Sequence, residues 1–153
     1  MRKIYLLAII LSGLFITNYS LAQEQGFGLG VILGEPTGLS AKMWTGPETA
    51  LDFGLGYSFT TSNSILHLYT DYVFHNAEWI RSDKNIIVYY GPGVRLHLNE
   101  HQSRLGVRGV IGILWIPEGS QFDLFVEAAP MLDIIPATKF GLAGGIGGRF
   151  FFN

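Results

Sequence analysis

The chain has 153 residues, of which 48% are hydrophobic and only 14% charged, and its formal net charge is −2. That length allows one domain, and the apolar content excludes a disordered chain. The absence of cysteine excludes a disulfide scaffold and a thiolate zinc site, and the lack of a basic block argues against nucleic acid as a partner. The low charge is itself unusual, because soluble proteins carry about 25% charged residues.

The N-terminus has the pattern of a secretory signal peptide. Two basic residues follow the initiator methionine, residues 4–16 are almost entirely apolar, and Ser20 and Ala22 are the small residues expected before a cleavage point. A helix over the apolar run rises about 20 Å, which is too short for the roughly 30 Å hydrocarbon core that an anchor must cross. We therefore predict a signal peptide over 1–22 and one mature domain over 23–153.

The rest of the chain alternates apolar and polar residues with a period of two, and turn residues recur at short intervals. No segment has a sustained apolar period of 3.6 residues, so the pattern predicts strands and no helix. A membrane-crossing strand needs about 9–11 residues, and eight such strands fit the mature chain with room for turns. The predicted strands are 26–34, 39–45, 50–59, 65–75, 86–99, 105–116, 122–132 and 140–152.

These strands have two different faces. One face is apolar throughout, as in Phe27, Leu29, Val31 and Leu33 of the first strand, and tyrosines are its only ionisable side chains. The other face carries most of the strand glycines, His67, and a balanced set of four basic and four acidic residues. That set is Lys42, Asp52, Asp71, Arg95, Arg108, Asp123, Glu127 and Arg149.

Two architectures account for this alternation. A soluble lipocalin-like barrel or a sandwich turns the second face to water, where glycines and cancelling charges make a poor surface. A membrane barrel turns the apolar face to lipid and fills its lumen with the polar face. An eight-stranded lumen is just wide enough for side chains, so its charges must be paired. We therefore predict an all-β, eight-stranded antiparallel up-and-down transmembrane β-barrel.

In this interpretation the eight charged residues form a structural ionic network inside the lumen. Arginine can donate two hydrogen bonds to one carboxylate. We expect Arg95, Arg108 and Arg149 to pair with the carboxylates of Asp71, Asp123 or Glu127. The soluble periplasmic carrier, with the two faces inverted, is the alternative.

Aromatic residues collect near the ends of the predicted strands, where membrane barrels carry interfacial girdles. With the N-terminus in the periplasm, the outer loops are 35–38, 60–63, 100–103 and 133–138. All four are short, which argues against a large adhesive surface, and we expect a monomer. The longest connection, at 76–85, faces the periplasm and carries Trp79.

The last strand ends in Gly145-Ile146-Gly147-Gly148-Arg149-Phe150-Phe151-Phe152, which resembles the C-terminal insertion signal of bacterial outer-membrane barrels. Asn153 is a departure, since the usual last residue is aromatic. The mature chain resembles the small eight-stranded barrels of the OmpA transmembrane domain and OmpX. Four stretches also resemble a family of short outer-membrane barrels: 32–42, 89–95, 105–108 and 125–130. The resemblance implies a Gram-negative cell outer membrane location, contacts with its lipids and folding by its insertion machinery through the last strand.

Catalysis is the main functional alternative, because outer-membrane barrels of this size include lipid A-modifying enzymes. His101 and Ser103 have the His-x-Ser spacing of lipid A deacylase barrels, but they lie in a predicted turn. Glu100 and Glu118 are the nearest acids, and neither has a spacing that predicts a catalytic role. A lipid A-modifying hydrolase is therefore kept as an alternative, and we predict no enzymatic activity and no catalytic residue.

Metal and cofactor sites are also not predicted. His67 and His97 share the charged face without the spacing of a metal site. Gly26, Gly28 and Gly30 follow the strand period, and they lack the lysine and the helix that a phosphate-binding loop requires.

Overall fold

The structure is a computed structural model and describes residues 26–58, 65–81, 84–99 and 102–152. The predicted signal peptide lies outside these residues. Strands dominate, as the period-two alternation and the many β-branched and aromatic residues predict. They are β1 (Phe27–Glu35), β2 (Thr37–Trp44), β3 (Thr49–Ser58), β4 (Ile65–Asn76), β5 (Ile86–Leu98), β6 (Arg104–Trp115), β7 (Phe122–Ile135) and β8 (Lys139–Phe152).

The eight strands form one closed barrel. Each strand runs antiparallel to the one before it, and β1 pairs with β8 from Phe27 opposite Phe152 to Glu35 opposite Gly144. Closure pairs both edges of the sheet, which removes the exposed edge of an open sheet. The prediction of an all-β, eight-stranded antiparallel up-and-down barrel is confirmed. No helix among the described residues has the length and apolar character needed to cross a membrane.

Two connections are shorter than predicted. Only Pro36 separates β1 from β2, because Thr37 already belongs to β2. The Thr37 hydroxyl accepts a hydrogen bond from Gly34 N (3.1 Å) and donates one to Gly34 O (2.8 Å), which tightens this turn. At the same end of the barrel, β7 continues to Ile135 instead of ending at residue 132. The longer strand puts Asp133 inside the barrel, where the sequence had predicted a turn.

The predicted apolar face is the outside of the barrel. Leu33, Phe140 and Ile146 are 59%, 70% and 61% exposed, whereas Lys42 and Arg149 are 0% and 1% exposed. Large apolar side chains therefore cover the exterior, and charged side chains occupy the interior. A barrel that folds in water has the reverse arrangement.

The interior has two halves that differ in packing. We call the half near Phe27 and Phe152 the terminal half, and the half near Glu35 the mouth half. Large side chains fill the terminal half, among them Trp44, Val73, Ile87, Tyr89, Leu114 and Phe125. Small residues line much of the mouth half, including Gly54, Gly56, Gly106, Gly141 and Ala143. This half retains a pocket of about 220 Å³.

Candidate functional site

The first part of the charged interior lies in the terminal half and joins four strands. Lys42 and Asp52 are opposite each other on β2 and β3, and Lys42 Nζ lies 2.8 Å from Asp52 Oδ1. Asp123 and Arg149 are opposite each other on β7 and β8, and Arg149 Nε donates to both carboxylate oxygens of Asp123, at 3.0 and 3.1 Å. Arg149 Nη1 also reaches Asp52 Oδ2 at 3.4 Å. This last contact connects β8 to β3, which are not neighbours in the sheet.

Aromatic side chains and a histidine surround this first group. Lys42 Nζ lies 3.0 Å from His75 Nε2 and 5.0 Å from the centre of the Tyr89 ring. The Arg149 guanidinium lies 4.1 Å from the centre of the Phe125 ring. His75 was not among the predicted site residues, although its parity in β4 places it on the charged face. The cations are therefore held by ring faces as well as by carboxylates.

The second part centres on Arg108 of β6. Its Nη2 donates to Glu127 Oε1 at 3.2 Å, and the Tyr89 hydroxyl donates to Glu127 Oε2 at 2.7 Å. Arg108 Nε lies 3.1 Å from Asp71 Oδ1, but its N–H does not point at that oxygen, so this contact is an ion pair without a hydrogen bond. The guanidinium stacks over Tyr69, 3.9 Å from the ring centre. Neither carboxylate lies directly opposite Arg108 in the strand register, where its partners are Gly93 and Met131.

Glycines on facing strands make room for these bulky groups. A Cβ at Gly93, which lies opposite Asp71, would overlap the Asp71 carboxylate. A Cβ at Gly54 would overlap the Tyr69 ring. The glycines of the charged face therefore set the space available to the ionic groups, as expected for a narrow eight-stranded lumen.

The third part lies in the mouth half and includes a residue that the sequence analysis missed. Arg95 binds Asp133 through two hydrogen bonds, Nε to Oδ1 at 2.8 Å and Nη2 to Oδ2 at 3.1 Å. The prediction that Arg95 pairs with Asp71, Asp123 or Glu127 is therefore wrong. Asp133 has the same parity as Asp123 in β7, and this signal was lost because β7 was predicted to end too early.

Asp133 changes the charge balance of the interior. It adds a fifth acid to the predicted set of four acids and four bases. Arg104, at the rim, lies 3.9 Å from Asp133, and its side chain is 35% exposed. The extra acid is therefore balanced by a base that water can reach.

A pair of histidines lines the mouth pocket. The rings of His67 and His97 are 4.2 Å apart, and His97 Nδ1 lies 3.3 Å from Arg95 Nη2. His67 Nε2 is buried without a hydrogen-bond partner among the described residues. The described part of the chain contains no group of three or more His, Asp or Glu side chains arranged to hold a metal ion.

Of His101 and Ser103, the structure describes only Ser103, which lies at the rim of the mouth. His101 and Glu100 fall outside the described residues, and Ser103 is exposed just before β6. Glu118 follows the other end of β6, a strand of 12 residues. At about 3.3 Å per residue, that strand separates Glu118 from Ser103 by roughly 40 Å. Glu118 cannot serve as the acid of a catalytic group with Ser103.

A closed barrel with an apolar exterior and a charged interior is the pattern of transmembrane β-barrels. No protein-family model and no curated protein matches the chain. Its fold is similar to that of the N-terminal β-barrel domain of Pseudomonas aeruginosa OprF, with 11% identity and a TM-score of 0.58, over 84% of this chain and 96% of that one. Ail, the attachment invasion locus protein of Yersinia pestis, aligns over 84% of this chain and 95% of its own, with 14% identity and a TM-score of 0.40.

At 11% identity, the likeness to OprF shows the fold alone. That fold is the one the sequence predicted by its resemblance to small eight-stranded outer-membrane barrels, and the resemblance is confirmed at this level.

Proposed function

We propose that this protein is an integral outer-membrane β-barrel of structural type, with a closed lumen and no catalytic activity. The observation that carries the proposal is the inverted distribution of its side chains. Phe140 on the outside is 70% exposed, while Arg149 inside is 1% exposed. In water, the apolar exterior would form a patch far larger than the few hundred Å² that monomers expose. Against lipid chains, the same exterior carries no such penalty.

Three features support an outer-membrane location. The chain has the fold of small outer-membrane barrels. The signal peptide predicted over 1–22 directs export, and the ending Phe150-Phe151-Phe152 resembles the signal read by the insertion machinery. We infer that membrane lipids and this machinery are its partners and that it is a monomer, with the mouth half facing outward.

The packing of the terminal half supports a closed lumen. Val73, Tyr89 and Leu114 are fully buried there, next to the paired charges of Lys42 and Arg149. An open aqueous channel needs a wider barrel, because eight strands leave space only for side chains.

The ionic network would act as a set of braces across the lumen. Three of its contacts join strands that are not neighbours: Arg149 with Asp52, Arg108 with Asp71, and Arg95 with Asp133. Hydrogen bonds of the sheet connect only adjacent strands, so these contacts resist a different deformation, the flattening of the barrel. We infer that the network is structural, since each of its charged side chains lies within 3.2 Å of an oppositely charged one.

Refolding of the mature chain, residues 23–153, tests the proposal. In detergent micelles we expect a folded form whose gel migration differs from that of the boiled sample, and in lipid vesicles we expect protection of the strands from protease. A single band at all temperatures, together with a monomer that is soluble in plain buffer and takes up a fluorescent fatty acid, would support the soluble carrier instead.

The absence of hydrolase activity has its own test. Cells that express the protein and cells that express Ser103→Ala should have the same lipid A mass spectrum as cells without the gene. A species of lower mass that appears with the unaltered protein and disappears with Ser103→Ala would contradict the non-enzymatic assignment.

A further inference from the structure

The outer wall of the barrel has a notch at mid-height. Pro92 of β5 lies opposite Gly109 of β6, and the β6–β7 register places Gly109 level with Pro130 of β7. All three residues lie on the outer face. Two compact rings and a glycine therefore stand side by side on a wall that carries large side chains at most of its positions.

The strand pairing is interrupted on both sides of this notch. The β4–β5 register stops at Asp71 opposite Gly93 and resumes at Phe74 opposite Tyr90. The β6–β7 register has a gap at the level of Pro130. Proline has no N–H to donate, so β5 cannot complete its hydrogen bonds to the neighbouring strand at Pro92, and β7 cannot complete them at Pro130.

The notch belongs to a groove of about 800 Å³, a size typical of small-molecule sites. Its apolar walls include Leu51, Tyr72, Val94, Val107, Leu132 and Phe140. Of the three residues along it with polar side-chain groups, Thr70 and Tyr72 carry uncharged hydroxyls, and the Arg108 guanidinium is directed to carboxylates inside the barrel. The groove therefore offers an outside ligand two hydroxyl groups and no outward-directed charge.

The position of the groove across the thickness of the membrane indicates what occupies it. Pro92 is the central residue of β5, and Gly109 lies at the centre of β6. The apolar band of an outer-membrane barrel is about 25 Å tall, so its middle faces hydrocarbon and not headgroups.

We propose that this groove binds one acyl chain of a membrane lipid and holds it against the wall from β3 to β8. The inference rests on the proposed membrane location. Inside a bilayer there is no hydrophobic gain from the contact, and the binding energy comes from van der Waals packing. An unfilled notch would forfeit those contacts, whereas a flexible chain can follow its floor.

A second copy of the protein fits this surface less well than an acyl chain. A two-fold contact places the same patch against itself, so two concave notches would face each other and enclose a larger void. An acyl chain, by contrast, is convex, and acyl chains surround the middle of the barrel whichever end faces outward.

Gly109→Leu is the variant that tests the proposal. A Cβ at Gly109 meets no atom of the described residues within 4 Å, so there is open space at the start of a larger side chain, and we expect leucine to fill the notch. Ala41→Leu is the matched control, because β2 lies four strands from β6, on the opposite side of the barrel. Native mass spectrometry from detergent micelles would count bound dipalmitoyl phosphatidylethanolamine and dipalmitoyl phosphatidylglycerol.

We expect the unaltered protein and Ala41→Leu to retain one lipid with either headgroup, and Gly109→Leu to bind it at least about tenfold more weakly. Equal retention by all three proteins would overturn the proposal, as would a dimer that Gly109→Leu dissociates. If none of the proteins folds in vesicles, the proposed function itself fails. If they fold and lipid retention does not change, only the groove assignment fails.

Discussion

The terminal and mouth halves of the interior use the same ion-pair chemistry in different surroundings. Around Arg149 the space is filled by Phe125 and other large side chains, and Arg149 is 1% exposed. Around Arg95 a pocket of about 220 Å³ remains unfilled, and the neighbouring Arg104 side chain is 35% exposed. The free-energy cost of an unpaired charge grows with its desolvation. Removal of one partner of an ion pair should therefore lower the free energy of unfolding more in the terminal half.

Removing Arg149 should have the largest effect on stability. Arg149→Met leaves Asp123 and Asp52 buried with one nearby cation, Lys42, and removal of one member of a buried pair costs about 3–5 kcal/mol. Urea unfolding in lipid vesicles, followed by tryptophan fluorescence, measures the loss. The second variant is Arg149→Met with Asp123→Asn, which removes the stranded charge and should recover part of the free energy. A loss below about 1 kcal/mol, the value of an exposed pair, would contradict the braced interior.

Truncation of the apolar packing in the same half should come next. Leu114 is fully buried in the terminal half, and Leu114→Ala should cost about 2–5 kcal/mol through lost contacts and the cavity it leaves. Ile113→Ala is the control, because Ile113 is the adjacent residue on the outer face and is 42% exposed. Unfolding of both variants under the same conditions compares the contribution of interior packing with that of the outer wall. Equal losses of unfolding free energy would mean that the terminal half is loosely filled.

Breaking the mouth pair should cost less. Asp133→Asn removes the charge from the bidentate contact with Arg95, and a hydrogen bond to a charged group is worth about 1.5–3 kcal/mol. Salt should also distinguish the halves, because ions reach the mouth more easily than the terminal half. We expect the effect of Asp133→Asn to shrink between low and high salt, while that of Arg149→Met stays constant. The reverse order of salt dependence would show that the two halves have been assigned the wrong way round.

The sequence predicted the faces of the barrel better than the partners within it. A period of two decides whether Asp71 or Arg108 points in or out, so parity alone placed the predicted charges on one face. Parity does not give the relative height of residues on opposite walls, which depends on the stagger of strands around the closed barrel. Nor does parity give the register of neighbouring strands, and Arg95 pairs with Asp133 because both residues lie level with Gly106 of β6, the strand between them. Asp133 was missed because the end of β7 was predicted at residue 132, before Asp133, and strand ends are the part of a strand that alternation defines least well.

The smallest loss of stability is expected for a contact on the outer face of the barrel, outside both halves of the interior. Trp79 stacks on Tyr90 with ring centres 5.3 Å apart and an interplanar angle of 7°. Asn76 Oδ1 accepts hydrogen bonds from Glu78 N and Trp79 N, and these two bonds hold the turn in place. An aromatic pair contributes about 0.5–1.5 kcal/mol beyond burial, so Trp79→Ala should destabilise the barrel in vesicles by that amount. Trp79→Phe should keep most of it, because the stack survives. If both variants unfold like the unaltered protein, the stack contributes nothing, and stability resides in the interior contacts that distinguish the two halves.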